Sequence, residues 1–395
     1  MKSTSCERIA QELLGRCLAG EAPSDLPRAL LQEPCGKALF GILVEGLADR
    51  FDPVLCDVYA RLFSQAVAHA VEGANAASLV ARYERVRRPR PILSAPRRIV
   101  VLSRVTLGAD VAVTSVLLAA AKSGFPEADV VFAGPQKNYE LFAGDARIRH
   151  CPVEYQRGGL RDRLAVVDPL KELTSAPDCV AIDPDSRLTQ LGLLPVCDED
   201  RHYLFESRGY GRDTDRALPE LAADWAATTF AVPGSRPYVA LAGRVRRAPY
   251  IAVNLGVGEN PAKRISDPFE ERLLALLAAT GHPLVIDKGA GGEETARVEG
   301  VVERAGVKAK FWDGPFAGFA RIIAGSRLYV GYDSAGQHVA DACGVPLICI
   351  FAGFPAARMF DRWKPTGARS TVIRVDTPDP AETLERVRQA LAPNR

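Results

Sequence analysis

Apolar side chains in the first part of the chain recur every three or four residues. The spacing is clear over residues 9–18 and again over residues 55–66, and it is the period of an amphipathic α-helix. Proline residues divide the region into short helices, and no run in it alternates as a strand does. We therefore predict a helical accessory segment over residues 1–92, with the basic, Pro-containing stretch 85–91 as a linker.

The pattern changes at Arg98, where short β-branched runs begin to alternate with helical stretches. Continuous apolar strands separated by helices indicate a parallel sheet that is covered on both faces. The alternation breaks in the Pro-, Gly- and Arg-rich stretch 233–249 and then restarts. The candidate strands are 99–102, 130–132, 179–182, 251–254, 284–286, 328–330, 347–351 and 372–375.

Two successive units of this kind predict an α/β fold with two Rossmann-like domains that face each other, at residues 93–235 and 236–395. Ligands of such sheets bind beyond the carboxyl ends of the strands. We therefore expect the functional residues in the loops that follow strands, on both sides of an interdomain cleft.

Composition and charge exclude several classes of protein and leave the predicted fold unchanged. Fifty basic and 48 acidic residues leave a net charge of +2, which gives no general attraction to nucleic acid. No apolar run approaches the roughly 20 residues that span a bilayer, and the N-terminus lacks the apolar core of a signal peptide. Nine scattered cysteines without a Cys-x-x-Cys pair favour a reduced, cytoplasmic protein with no disulfide framework and no metal site.

The stretch 330–340 is the most informative for chemistry. A strand is followed at once by a small polar turn and a helix, which directs free backbone N–H groups and the positive end of a helix dipole outward. Asp333 and Ser334 could cap this helix, and His338 adds a donor that is charged or neutral near pH 7. An N-capped helix with an ordinary histidine is the alternative. The candidate anion site consists of Asp333, Ser334, Ala335, Gly336, Gln337 and His338.

Two further loops follow candidate strands. The loop 254–264 ends in Lys263 and Arg264, adjacent cations that are well placed to bind a diphosphate, and a solvated basic loop is the alternative. The Gly-rich loop 287–294 contains Glu293, which could hydrogen-bond a ribose. A flexible turn before a helix explains that loop nearly as well.

The loop after the first candidate strand, residues 103–110, ends in Asp110. It does not have the G-x-G-x-x-G spacing of a dinucleotide-binding turn. Because Asp110 stands at the start of a predicted helix, it could serve as an N-cap. Its functional role would be that of a carboxylate general base.

In combination these motifs resemble the heptosyltransferase-like glycosyltransferases of family 9, which have the GT-B fold. Asp333-Ser334 followed by His338 is similar to the donor signature of that family, and Pro261-Ala262-Lys263-Arg264 is similar to its diphosphate loop. The resemblance runs from residue 98 to about residue 390, so the helical segment before it has no counterpart in the family pattern.

The resemblance implies an inverting, metal-independent enzyme that moves a sugar, possibly a heptose, from a nucleotide-diphosphate donor of the ADP-heptose type to an acceptor hydroxyl or amine. Asp110 would be the catalytic base, and Lys263 and the turn 333–338 would hold the diphosphate. The donor is a co-substrate, and no cofactor is implied. One alternative is an inactive family member that binds a nucleotide sugar and another protein. A nicotinamide-dependent oxidoreductase is disfavoured because the fingerprint turn is missing.

The irregular stretch 151–215 is expected to shape the acceptor side. Arg157, Arg161 and Arg208 lie in it and would suit an anionic acceptor, although arginines on a solvated helix are equally consistent. The acceptor stays open between a glycolipid, a small metabolite and a polypeptide. Residues 1–92 could contact a protein partner or a second subunit, and the protein could lie at the inner face of the membrane.

Overall fold

A computed structural model describes residues 5–258, 260–289 and 291–392 of the chain. The region before Arg98 is helical and has no strand among its described residues, as its hydrophobic spacing predicts. Asp52 accepts a hydrogen bond from Val54 N at 2.8 Å and starts the longest of these helices, with Pro53 in its first turn. The helices are α1 (Ser5–Leu18), α2 (Gly36–Ala38), α3 (Glu45–Ala48), α4 (Pro53–Ala70) and α5 (Ala76–Val86).

The first sheet is parallel and has the strand order β3-β2-β1-β4-β5. Val100 in its central strand lies opposite Val131 on one side and Ala181 on the other. The central strand is apolar and buried because helices cover both faces of the sheet. The strands are β1 (Arg98–Leu102), β2 (Asp129–Gly134), β3 (Ile148–Pro152), β4 (Cys179–Asp183) and β5 (His202–Leu204).

Helices follow the strands of this sheet, and a π-helical turn, Asp110–Thr114, joins the first two of them. Residues 107–124 form a helical run that is long and apolar enough to cross a membrane, with a mean hydropathy of 1.2, and 67% of the run is buried within the protein. A buried core helix has the same composition. The helices are α6 (Leu107–Ala109), α7 (Ser115–Gly124), α8 (Gln136–Tyr139), α9 (Leu160–Leu164), α10 (Val167–Leu173) and α11 (Leu218–Phe230).

The N-terminal helices share one hydrophobic core with the region of the first sheet. Leu62 of α4 belongs to the same buried cluster as Leu193, Leu194 and Leu204. Residues 5–106 therefore form one compact unit with residues 116–139 and 147–235. The hydrophobic pattern predicts a domain boundary at residue 92, whereas the residues on both sides of it belong to one compact unit.

The basic stretch 85–91 is anchored rather than free, in contrast to its interpretation as a linker. Arg87 Nη1 lies 2.8 Å from Asp57 Oδ1. The Arg90 guanidinium stacks 4.4 Å from the centre of the Tyr203 ring and donates to the backbone oxygen of His202 at 2.9 Å. The acceptors come from distant parts of the chain, so sequence spacing does not reveal them.

The second sheet is also parallel, with the order β11-β10-β9-β6-β7-β8. It belongs to a second compact unit that comprises residues 107–115, 140–146 and the described residues from Arg236 onward. Its strands are β6 (Ile251–Asn254), β7 (Leu284–Asp287), β8 (Ala309–Trp312), β9 (Leu328–Tyr332), β10 (Leu347–Phe351) and β11 (Ser370–Arg374). Its helices are α12 (Phe269–Ala278), α13 (Gly292–Ala305), α14 (Phe316–Gly325), α15 (Ala335–Ala342), α16 (Ala357–Trp363) and α17 (Pro380–Leu391).

The cysteines differ in one respect from the expectation of reduced thiols. Cys6 and Cys35 form a disulfide, and the other seven cysteines are free. The pair is separated by 29 residues and is brought together by the packing of the helical segment. No local motif in the sequence marks it.

Candidate active site

The carboxyl ends of the strands of the second sheet carry most of the predicted donor residues. β9 ends at Tyr332 and α15 begins at Ala335, so Asp333 and Ser334 form the whole connection. The first N–H groups of a helix have no partner within it, and the helix dipole adds positive potential at the same place. Gly336 is needed in this first turn because a Cβ there would collide with the Tyr329 hydroxyl.

Asp333 joins this turn to the Lys263 loop. Lys263 Nζ donates to Asp333 Oδ2 at 2.6 Å and to the Asp333 backbone oxygen at 3.2 Å. Gln337 Nε2 donates to the other carboxylate oxygen of Asp333. The pairing places an ammonium group directly beside the N-terminus of α15, where the helix dipole also favours an anion.

The predicted capping of α15 by Asp333 and Ser334 is wrong. Ser334 occupies the N-cap position with an extended backbone, but its side chain makes no capping hydrogen bond. Its hydroxyl lies 3.3 Å from the Tyr329 hydroxyl, and the Asp333 carboxylate is engaged by Lys263 and Gln337. The N–H groups at the start of α15 are therefore not used by either side chain.

The loop that carries Lys263 is held from both sides. Asn260 Oδ1 accepts from Ala262 N at 3.1 Å and starts the short turn Pro261–Lys263. Asn260 Nδ2 donates to the Gly353 backbone oxygen at 3.3 Å. Gly353 has a φ of +67°, and a side chain there would collide with Ala262. The loop after β10 therefore fixes the position from which Lys263 reaches Asp333.

The side chains of Lys263 and Arg264 point to different partners. Arg264 Nε lies 3.2 Å from Glu270 Oε1 at the start of α12, and the guanidinium also pairs with Asp267. Glu270 is almost completely buried and makes a second ion pair with Arg297 at 2.6 Å. Arg264 thus belongs to a structural ion-pair cluster, while Lys263 alone of the two adjoins α15.

His338 is buried in the second turn of α15. Burial lowers its pKa, against the opposing effect of the nearby Asp333 and Asp341 carboxylates, so the imidazole is neutral near pH 7. Its ring packs edge-on against Trp363 at 5.7 Å between centres. A Cβ at Gly108 would lie 3.0 Å from His338 Cδ2 and 3.2 Å from Ala335 Cα, so the start of α6 packs closely on the start of α15.

Asp110 is placed three residues into the helical run that begins at Leu107. The prediction that it caps the helix is therefore wrong, because the helix starts before it. Its side chain is fully buried and accepts a hydrogen bond from Thr114 Oγ1 at 2.6 Å. Residues 107–115 belong to the same compact unit as α15, and Gly108 brings the two helix starts into contact.

A polar group that the sequence analysis overlooked lies at the ends of β6 and β7. Asn254 Nδ2 donates to Asp287 Oδ2 at 2.9 Å, and burial raises the pKa of Asp287 to about 6. The Glu294 carboxylate lies against Gly256, where a Cβ would be 2.8 Å from its Oε1, and against Gly289. One feature of the sequence indicates this group, since the polar residue Asp287 ends an otherwise apolar strand.

Glu293, the predicted ribose ligand, has an exposed side chain at the start of α13. The next residue, Glu294, is the one directed at the loops after β6 and β7. A one-residue difference of this kind rotates a side chain by about 100° around a helix, and the sequence does not fix that register.

The three predicted acceptor arginines lie in the unit of the first sheet. Arg157 and Arg161 are exposed. Arg208 is buried and donates to both carboxylate oxygens of Asp185, at 2.9 and 3.0 Å, so its charge is used inside the unit. In the described parts of the chain, no group of three or more His, Cys, Asp or Glu side chains is placed to hold a metal ion.

Comparison with known proteins gives one family model, which matches the C-terminal part of the chain. Residues 199–391 match the sequence model of glycosyltransferase family 9 (heptosyltransferase). Comparison with curated protein sequences gives no match.

Solved structures of glycosyltransferases resemble about three quarters of the chain. A family 9 glycosyl transferase from Veillonella parvula has a TM-score of 0.56 at 15% identity, covering 75% of this chain and 97% of that one. The E. coli heptosyltransferase WaaC with ADP has a TM-score of 0.56 at 16% identity, covering 75% of this chain and 100% of that one. E. coli ADP-heptose lps heptosyltransferase II has a TM-score of 0.52 at 17% identity, covering 74% and 98%.

Structural likeness at this identity establishes the fold, and the family model adds a sequence similarity over residues 199–391. The two parallel sheets match GT-B glycosyltransferases, as the sequence motifs predict. Residues 199–391 are thus similar in sequence to glycosyltransferase family 9, the chain has the fold of the heptosyltransferase structures, and both findings indicate a glycosyltransferase.

Proposed function

We propose that the protein transfers a sugar of the heptose class from an ADP-sugar to an acceptor hydroxyl or amine, with inversion and without a metal ion. The observation that carries the proposal is the position of Lys263 Nζ, 2.6 Å from Asp333 Oδ2 at the N-terminus of α15. A cation beside free helix N–H groups is an arrangement that binds phosphate oxygens. The E. coli heptosyltransferases crystallised with ADP and an ADP-heptose analogue share this fold.

The positive charge has a catalytic use because the departing diphosphate gains negative charge as the bond to the sugar breaks. Lys263 and the N–H groups at the start of α15 would stabilise that charge, which is stronger in the transition state than in the bound donor. Asp333 acts as a positioning residue, since it holds the flexible Lys263 side chain in one place. The neutral His338 lies one turn further along α15 and would donate a hydrogen bond without adding charge.

Asp110 is the proposed general base for the acceptor. In the structure its carboxylate is fully buried, and Gly108 packs against Ala335 and His338. Acceptor access therefore requires that the start of α6 separates from the start of α15. Opening of that contact would be coupled to substrate binding, as in other enzymes whose sites close around the donor.

The burial of Asp110 also favours a second candidate function. A chain whose carboxylate never becomes accessible would bind a nucleotide sugar without transferring it. The two functions differ in product formation, whereas both predict donor binding.

The experiment is a thermal-shift screen with ADP, UDP and GDP, followed by measurement of ADP release from ADP-heptose with candidate acceptors. Ligands that bind the native state raise the melting temperature according to affinity and concentration. The proposal predicts a shift with ADP and acceptor-dependent ADP release that persists in a metal chelator. A shift without release would support the binding function, and no shift with any nucleotide would refute both.

A further inference from the structure

A basic cavity lies at the amino-terminal edge of the second sheet. Arg327 directly precedes β9, Arg369 directly precedes β11, and Arg247 lies four residues before β6. Because all strands of this sheet are parallel, these residues meet at one edge. They line a cavity of about 200 Å³ together with Cys343, Gly344 and Pro346.

The charge of this cavity is uniformly positive. Three guanidinium groups line it, and no Asp or Glu does so. Arg369 Nη1 donates to the Gly344 backbone oxygen at 3.2 Å, which fixes one wall. Arg247 is exposed, and within the described chain no hydrogen bond or ion pair involves its guanidinium.

Guanidinium groups are the side chains best matched to phosphate oxygens, because their N–H groups form a planar fork. The cavity has room for a phosphoryl group but is too small for a nucleotide sugar.

We propose that this cavity binds a phosphoryl anion through Arg247, Arg327 and Arg369. The site is separate from the Lys263 site, because one lies at the amino-terminal ends of the strands and the other at their carboxyl ends. The five residues of β9 put about 16 Å between those two ends. The anion is either a free phosphate or the phosphate of a lipid headgroup, and the proposal does not depend on the proposed transferase activity.

The test is calorimetric titration of inorganic phosphate into the full chain, with chloride at equal ionic strength as the reference. Arg247→Ala should weaken phosphate binding at least fivefold, because one of three guanidinium partners is removed. Arg272→Ala removes an exposed charge from α12 and should leave the affinity unchanged. The titration is repeated with ADP in excess, and the part of the phosphate binding that depends on Arg247 should remain, which separates this site from the donor site.

A second arm identifies the source of the phosphoryl group. The chain is sedimented with phosphatidylcholine vesicles, with and without phosphatidylglycerol. Binding to the anionic vesicles that is lost in Arg247→Ala indicates a lipid headgroup, and phosphate binding without vesicle binding indicates a free anion. The proposal is overturned if neither phosphate nor anionic vesicles bind in a way that depends on Arg247.

Discussion

The carboxylate of Asp110 is suited to proton transfer, and it is buried away from solvent. Its Oδ1 accepts from Thr114 Oγ1 at 2.6 Å, so Asp110→Asn keeps a side chain of the same shape with an acceptor for this bond and removes the basic carboxylate. General-base catalysis contributes about 10²–10⁴-fold. We expect Asp110→Asn to lower turnover by that factor while the affinity for ADP, measured by calorimetry, stays within about twofold. Turnover near the wild-type value would remove Asp110 from the catalytic role.

The protonation of Asp287 should make the free energy of unfolding depend on pH. Burial raises its pKa from the ordinary value of 3.8 to about 6, so the folded chain binds this proton more tightly than the unfolded chain. Its contribution is therefore greatest below about pH 4 and is lost as the pH rises through 6. The unfolding free energy of the wild type should fall between pH 4.5 and pH 7.5. We expect this fall to be smaller in Asp287→Asn, by about 1–2 kcal/mol.

Chemical denaturation at the two pH values measures this difference directly. The matched control is Asp376→Asn, because Asp376 is an exposed carboxylate that also lies after a strand of the second sheet. The two variants should differ in the pH dependence of unfolding. Identical profiles in the wild type and Asp287→Asn would contradict the assignment.

The start of α15 is the element on which the donor site depends. A Cβ at Gly336 would collide with the Tyr329 hydroxyl, so Gly336→Ala should shift the first turn and cost about 1–3 kcal/mol of stability. ADP affinity should fall as well, because the same turn presents the N–H groups. Thermal melts with and without ADP measure both effects.

Gly300→Ala in α13 provides the matched control. Its Cβ would meet only the end of the flexible Arg304 side chain, at 3.1 Å, and alanine is the better helix former by about 1 kcal/mol. We expect this variant to be at least as stable as the wild type and to bind ADP normally. If Gly336→Ala behaved in the same way, the close packing of α15 on Tyr329 would not matter for the site.

Hydrophobic patterning predicted the elements well but could not specify side-chain partners. The strand–turn–helix at 330–340 and the loop that ends in Lys263 follow from local sequence, because both follow apolar strands of a parallel sheet. That Lys263 pairs with Asp333 while Arg264 pairs with Glu270 depends on packing between distant segments. The direction of Glu294 rather than Glu293 depends on helix register, and the burial of Asp110 depends on contact with α15.

At the scale of the whole molecule, the N-terminal helices are part of the core of the first unit. Leu62 is buried with Leu193, Leu194 and Leu204, and Leu62→Ala should cost about 2–5 kcal/mol. Hydrogen exchange measured by mass spectrometry should then show faster exchange in β5 as well as in α4, because both belong to one cooperative unit.

Val54→Ala is the control on the same helix, since Val54 is 67% exposed, and it should change exchange little. Faster exchange confined to residues before 92 in Leu62→Ala would show instead that the helical segment unfolds independently. That result would restore the accessory-module interpretation of the N-terminal region.

In the proposed donor complex the diphosphate binds where Lys263 meets the N-terminus of α15. Calorimetric titration of ADP into wild type, Lys263→Ala and the exposed-lysine control Lys308→Ala tests it most directly. We predict that Lys263→Ala weakens ADP binding at least tenfold, about 1.4 kcal/mol, and that Lys308→Ala binds as the wild type does. Equal affinity in all three proteins would contradict the account.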